Sequence, residues 1–386
     1  MRKSTRPALP SAPPLALLVL ACLLFVETAD GQFYHFGKNK VQYAHFEWLE
    51  MRTEHFDIYF YESEVELAGY AAQMAESGYL ELERRLGHSV QRRIPLILYS
   101  SHIYFEQTNI IPNLLPEGVA GFTEFLKGRV VLPLSGSFPE FERVLRHELV
   151  HVFTFDKIQQ VSRRHGVSDF WPAPLWFSEG LAEYWSGSWN SYGEMIVKDA
   201  LFSRRLVPLQ RIHLLHGTFQ LYKQGESICA YMAETYGEDI FNRLLESWWR
   251  DESFAEVFEL TTGDPLSKLD EDWRYRTEKQ YLPDIASNDP PSQTATAITH
   301  SGFNVKPQIV GRDEEDFRLV FFRNYRGATE IASISMDGSK PQVVVEGERS
   351  AEFEALHPLV TKPAVSTDGN WLAFSAKSGG RDRLYI

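Results

Sequence analysis

Hydrophobic spacing changes character twice along this chain. "HFDIYFY" (55–61) alternates with a period of two, as a half-buried strand does, and Glu64 to Leu86 repeats its apolar positions with a helical period that stops at Gly87. "RIPLILYS" (93–100) reads as a strand. So does "GRVVLPL" (128–134), which Pro133 confines to a sheet edge or a strand end. From Pro139 the period is helical, over 139–156, 174–186, 225–236, 238–250 and 265–280, with the polar stretch 157–173 reading as a loop or partly ordered excursion. Segment 284–302, rich in Pro, Ser and Thr, reads as a linker. Beyond it short strands return, and 306–347 can be laid over 362–386: Lys306-Pro307 on Lys362-Pro363, "RLVFF" on "WLAFS". This self-similarity, with its "MDG" and "TDG" turns, predicts propeller blades. Because closure takes at least about four blades, two blades of which the second stops partway predict a piece of a longer protein.

"RHELVHVF" (146–153) departs from the apolar run around it by placing His147, Glu148 and His151 in one turn. Ser137 and Glu140 stand at capping-box spacing with Pro139 in the first turn, and Phe141, Leu145, Leu149 and Val152 make a core-facing stripe. The three ionisable side chains share a neighbouring face, where burial is costly unless each is paired. Two imidazoles one turn apart can converge on a cation. The H-E-x-x-H spacing therefore predicts His147 and His151 as ligands of one zinc ion and Glu148 as general base.

A third ligand is expected from "PAPLWFSEGLAEYW" (172–185), where Glu179 and Glu183 stand one turn apart and would repel on a plain helix. A metal on one carboxylate and an imidazole on the other reverses that penalty. Glu179 is expected to ligate zinc, and Glu183 to orient a zinc-bound histidine, His147 being the first choice. Three protein ligands leave a position for water, as a catalytic site requires. Glu148 would take that water's proton and return it to the leaving amine. Tyr222, Tyr231, His213 and His216 fit by type as donors to the developing oxyanion.

The rest of the chain bounds these readings. Arg2, Lys3 and Arg6, an apolar run from Leu15 to Val26, and Ala29-Asp30-Gly31 before Gln32 follow a signal-peptide plan over 1–31 and predict export. The run of about 12 apolar residues is short of the roughly 20 a spanning helix needs. No later stretch predicts a transmembrane segment. Of the two cysteines, Cys22 leaves with the leader, so the mature chain has no internal disulfide, and Cys229 reads as a small buried side chain. A formal net charge of −13 speaks against a nucleic-acid partner. Clustered acids at 270–273 and 311–316 lack calcium-loop spacing and read as solvated turns. Neither a Gly-rich phosphate loop nor a G-x-S-x-G elbow is present.

His147-Glu148-Leu149-Val150-His151 followed by Trp176-Phe177-Ser178-Glu179-Gly180-Leu181-Ala182-Glu183-Tyr184 resembles the gluzincin branch of zinc metallopeptidases. More specifically, the chain is similar to exported bacterial peptidases of the MA-like type that carry a TolB/WD40-like propeller, whose repeat "KPAVSTDGNWLAFSA" resembles. The resemblance implies an α+β zincin-like domain over 32–283, a linker over 284–302 and a partial all-β propeller over 303–386. It implies His147, His151 and Glu179 on Zn2+ with Glu148 as base, and "GRVVLPL" as an edge strand that pairs with an extended peptide or protein substrate. A periplasmic, cell-surface or secreted location follows from it. The separation between His151 and Glu179 is longer than in aminopeptidase-type gluzincins, and 157–173 accounts for the excess. Two alternatives stay open: a catalytically silent scaffold that binds a protein partner through the propeller, against which Glu148 speaks, and a zinc hydrolase of a non-peptide amide.

Overall fold

The computed structural model of the chain describes residues 42–112, 115, 117–134, 137–167, 171–187, 189–289, 291–300, 302–311, 316–347 and 352–386; the leader expected over 1–31 lies outside them. Strands β1 (Trp48–Arg52) and β2 (Phe56–Tyr61) pair antiparallel. Helix α1 (Val65–Leu86) ends at Gly87, whose φ of 54° suits the left-handed cap, and leads to β3 (Ile94–Tyr99), parallel to β2. A short helix α2 (His102–Phe105) precedes the hairpin of β4 (Phe122–Glu124) and β5 (Arg129–Pro133). β5 runs parallel to β3, giving a five-stranded sheet in the order β1-β2-β3-β5-β4. Phe56, Ile58 and Phe60 of β2, Ile94, Leu96 and Leu98 of β3, and Val130 and Leu132 of β5 are buried in the main core, following the two-residue period.

The strand within "GRVVLPL" is not the edge of this sheet. β4 covers its free side, and Pro133 is tolerated because it closes the strand. Three residues are too few for β4 to show an alternation in sequence, so the true edge was hidden from the pattern.

Helix α3 (Phe138–Arg164) carries the H-E-x-x-H turn. Ser137 caps it, accepting from the Glu140 N–H at 3.4 Å. Phe141, Leu145, Leu149 and Val152 are all buried in the main core, each contributing roughly 1.5–3 kcal/mol of transfer free energy. The helix runs on past residue 156, where a loop was expected. Lys157, Ile158, Val161 and Ser162 are buried at helical spacing, so the polar composition of "KIQQVSRR" masked a continuing inner face.

Helices α4 (Leu175–Ser186), α5 (Ser191–Phe202), α6 (Phe219–Tyr236), α7 (Ile240–Glu246), α8 (Phe254–Thr262) and α9 (Leu266–Ser287) complete the helical part. α4 and α6 cross with their main chains touching: a Cβ on Gly180 would lie 2.4 Å from the Gly225 carbonyl carbon, and one on Gly225 would lie 2.4 Å from Trp176 O. Only glycine permits this approach. α9 continues to Ser287 with Pro283 inside it, and α10 (Pro291–Thr294) follows, so the stretch expected as a linker is partly helical.

Strands β6 (Phe303–Val310), β7 (Arg318–Tyr325), β8 (Ala328–Ser335) and β9 (Gln342–Glu346) form an antiparallel meander. In a second sheet, β12 (Leu372–Ser378) pairs with β10 (Ala355–Leu356), β11 (Ala364–Val365) and β13 (Arg381–Tyr385). The two Lys-Pro pairs stand at comparable places: one lies in β6, which pairs with the "RLVFF" strand, and the other precedes β11, which pairs with the "WLAFS" strand. The Asp-Gly turns do not correspond, because "TDG" joins β11 to β12 whereas "MDG" lies one hairpin further on, between β8 and β9. The described residues thus form a mixed α/β structure with three open sheets. No described helix is long and apolar enough to cross a membrane.

Candidate metal centre

One turn of α3 and one turn of α4 face each other across the candidate site. His147, Glu148 and His151 are 8%, 6% and 6% exposed, so water does little to solvate them. His147 Nε2 lies 3.2 Å from His151 Nε2 and 3.2 Å from Glu179 Oε2, and His151 Nε2 lies 3.3 Å from the same oxygen. These three atoms form a nearly equilateral triangle. A tetrahedral zinc with bonds of about 2.0–2.1 Å spaces its ligands about 3.3–3.4 Å apart, so the donor set fits such an ion in type and spacing. A proton on one nitrogen can bridge one side of the triangle, whereas a cation meets all three corners. His147, His151 and Glu179 are accordingly the residues that could hold a metal ion.

The remaining ring nitrogens are held from behind. His147 Nδ1 stands 3.2 Å from Glu183 Oε1, off the line of a well-aligned hydrogen bond, and His151 Nδ1 is 3.2 Å from Ser178 Oγ. A proton on each Nδ1 leaves the Nε2 lone pairs pointing inward. Burial disfavours a charged His147, but its contacts with Glu179 and Glu183 outweigh burial and push its pKa up to about 10 in the metal-free chain. Burial likewise opposes ionised Glu179 and Glu183, and the histidines hold both well below the usual carboxylate range. For Glu183, Lys223 adds to that effect.

Glu148 points to the sheet side. The Thr123 hydroxyl donates to Glu148 Oε2 at 2.8 Å and also lies 3.1 Å from the Glu148 carbonyl, tying edge strand β4 to the motif helix. From the other side α6 brings Tyr222 and Lys223, positioned by the Gly180–Gly225 crossing just after them. Burial raises the pKa of Tyr222, and the charges of Glu179, Glu148 and Glu183 raise it further, which puts its hydroxyl within the field of the cluster. Tyr231 lines a different cavity of about 210 Å³ with Trp189 and Trp273, and His213 and His216 are exposed.

The five residues expected as ligands, base and orienting carboxylate thus lie in one neighbourhood: His147, His151 and Glu179 as a triangle, Glu183 behind His147, and Glu148 beside them. Sequence reasoning missed Ser178, Thr123, Lys223 and Arg143. Ser178 had a usable signal, being the residue before Glu179 and one helical turn from Ala182 on the same motif. The other three come from distant segments with no local pattern. No protein-family model matches the chain, and no curated protein matches it.

Proposed function

We propose that this chain is a zinc-dependent metallopeptidase of gluzincin type, built on a zincin-like α+β domain and acting outside the cytoplasm on a peptide or protein substrate. The observation that carries this reading is the triangle of two imidazole nitrogens and one carboxylate oxygen, 3.2–3.3 Å on a side, with a buried glutamate next to it in the helix. When bound, zinc supplies Lewis acidity, polarising a carbonyl and acidifying water.

The chain's own residues do the rest. His147, His151 and Glu179 would hold the ion, with Glu183 facing Nδ1 of His147 and Ser178 facing Nδ1 of His151 from behind. Thr123 occupies Glu148 Oε2, which leaves Oε1 to take the proton of the attacking water and pass it to the leaving amine. Tyr222, whose hydroxyl is held protonated by burial and by the charges of Glu179, Glu148 and Glu183, is the choice for stabilising the oxyanion. β4, rather than β5, is the edge to which an extended substrate can add as a further strand, and the same strand steadies the base through Thr123. The β-sheets of 303–386 are read as propeller blades that dock a protein partner or substrate.

The test is digestion of a mixed peptide library by the full chain loaded with zinc, wild type against Glu148→Gln. Cleavage by wild type and none by the variant at equal zinc content supports the proposal. Equal products from both, or none from either, would sink it.

A further inference from the structure

We propose that Lys223 is a positioning residue of the metal centre, acting on His147 through Glu183. This rests on the metal reading above and goes beyond the residues that touch the ion. Lys223 sits on α6 two residues before Gly225, at the glycine crossing that lets α6 approach α4. Its side chain is only 13% exposed, and Nζ lies 2.5 Å from Glu183 Oε2 and 2.9 Å from Glu226 Oε2. Glu226 is 3% exposed and anchors the ammonium from the far side. On the other carboxylate oxygen, Arg143 Nη1 stands 3.3 Å from Glu183 Oε1, the atom that faces His147 Nδ1.

The geometry divides the labour between the two oxygens of Glu183. Its terminal torsion is soft, with a broad two-fold preference, so an unheld carboxylate would turn. Lys223 pins Oε2, and this leaves Oε1 directed at the imidazole. The direction of the His147 ring, and with it the Nε2 lone pair, then depends on a contact two residues removed from the ion. Partners behind a ligating histidine typically change metal affinity by about 10–100-fold. An ammonium acting through such a partner is expected at the low end of that range.

The experiment measures zinc affinity of the full chain by competition with a chelator, alongside circular dichroism of the metal-free protein as a check on folding. Lys223→Met is expected to weaken zinc binding about tenfold. In a Glu183→Gln background Lys223→Met is expected to cost nothing further, because the effect passes through Glu183. A purely architectural lysine would give costs that add. Unchanged affinity for Lys223→Met, or additive losses in the double variant, overturns the inference while leaving the metal reading intact. Wild type that binds no zinc overturns both. Should Lys223→Met fail to fold, Lys223→Gln is read in the same way.

Discussion

Helix α3 buries two polar clusters, one around His147 and His151 and another around Lys157, and they differ in how protons and lone pairs are matched. Lys157 is 1% exposed, and its ammonium meets three acceptors, Leu86 O at 2.6 Å, Asn242 Oδ1 at 2.5 Å and Glu246 Oε1 at 2.8 Å. Three donors face three acceptors, and the cluster is closed. It ties α3 to the end of α1 and to α7. Around His147 the balance is reversed, because two imidazole nitrogens and a carboxylate oxygen converge and a proton on one nitrogen bridges only one side of their triangle. Both clusters are buried and both contain charge. Burial of ionisable groups therefore does not mark a functional site; a surplus of convergent lone pairs does.

The largest expected contrast is catalytic. Glu148→Gln should lower peptide cleavage about a hundred- to ten-thousand-fold while zinc content stays at the wild-type level. Lys157→Met should leave kcat/KM unchanged and alter only the melting temperature. Steady-state kinetics with metal analysis checks both, and a catalytic loss at Lys157 matching that at Glu148 would erase the distinction between the clusters. Next in size is Gly180→Ala, whose methyl group meets the Gly225 main chain and should destabilise the fold by about 1–3 kcal/mol. Denaturant unfolding reads this out. A substitution as stable as wild type would mean that α4 and α6 do not cross as described.

A pH titration tests the triangle through the proton that His147 holds. The pKa of His147 is raised from 6.5 to about 10 in the metal-free chain, so its charge stabilises that form fully below pH 6.5 and the effect is lost as pH rises through about 10. A bound cation requires the neutral imidazole and displaces the proton. Zinc affinity should then rise with pH over this window, by about tenfold per unit for one proton released. Calorimetry in buffers of different ionisation enthalpy counts that proton. Affinity independent of pH would contradict the triangle as a site of competition between proton and metal. Ser178→Ala should have the smallest effect, a loss of about tenfold in zinc affinity, since it frees only the far nitrogen of His151. Isothermal titration is sufficient to see it.

What the sequence made legible follows from range along the chain. Ser137, Phe141, Leu145 and Leu149 could be read because a helix repeats every few residues, and the same period put His147 beside His151 and Glu179 beside Glu183. Joining the two helices needed a chemical argument, since the charge problem on each is solved by the other. Thr123, Arg143 and Lys223 were invisible because their contacts with Glu148 and Glu183 span 25 to 40 positions. β4 escaped because three residues carry no period, and with it went the identity of the sheet edge. The extension of α3 to Arg164 was concealed because its buried face there includes the polar Lys157 and Ser162 beside Ile158 and Val161. Gly180 and Gly225 looked like weak points in two helices, and their role emerges only where the helices touch.

The central claim, that His147, His151 and Glu179 share one divalent ion, is tested most directly by zinc content of the purified full chain after dialysis, wild type against His151→Ala. One ion per wild-type chain and none per variant chain is the result this account predicts. Wild type that leaves dialysis free of metal, or a variant that retains as much zinc as wild type, would contradict it.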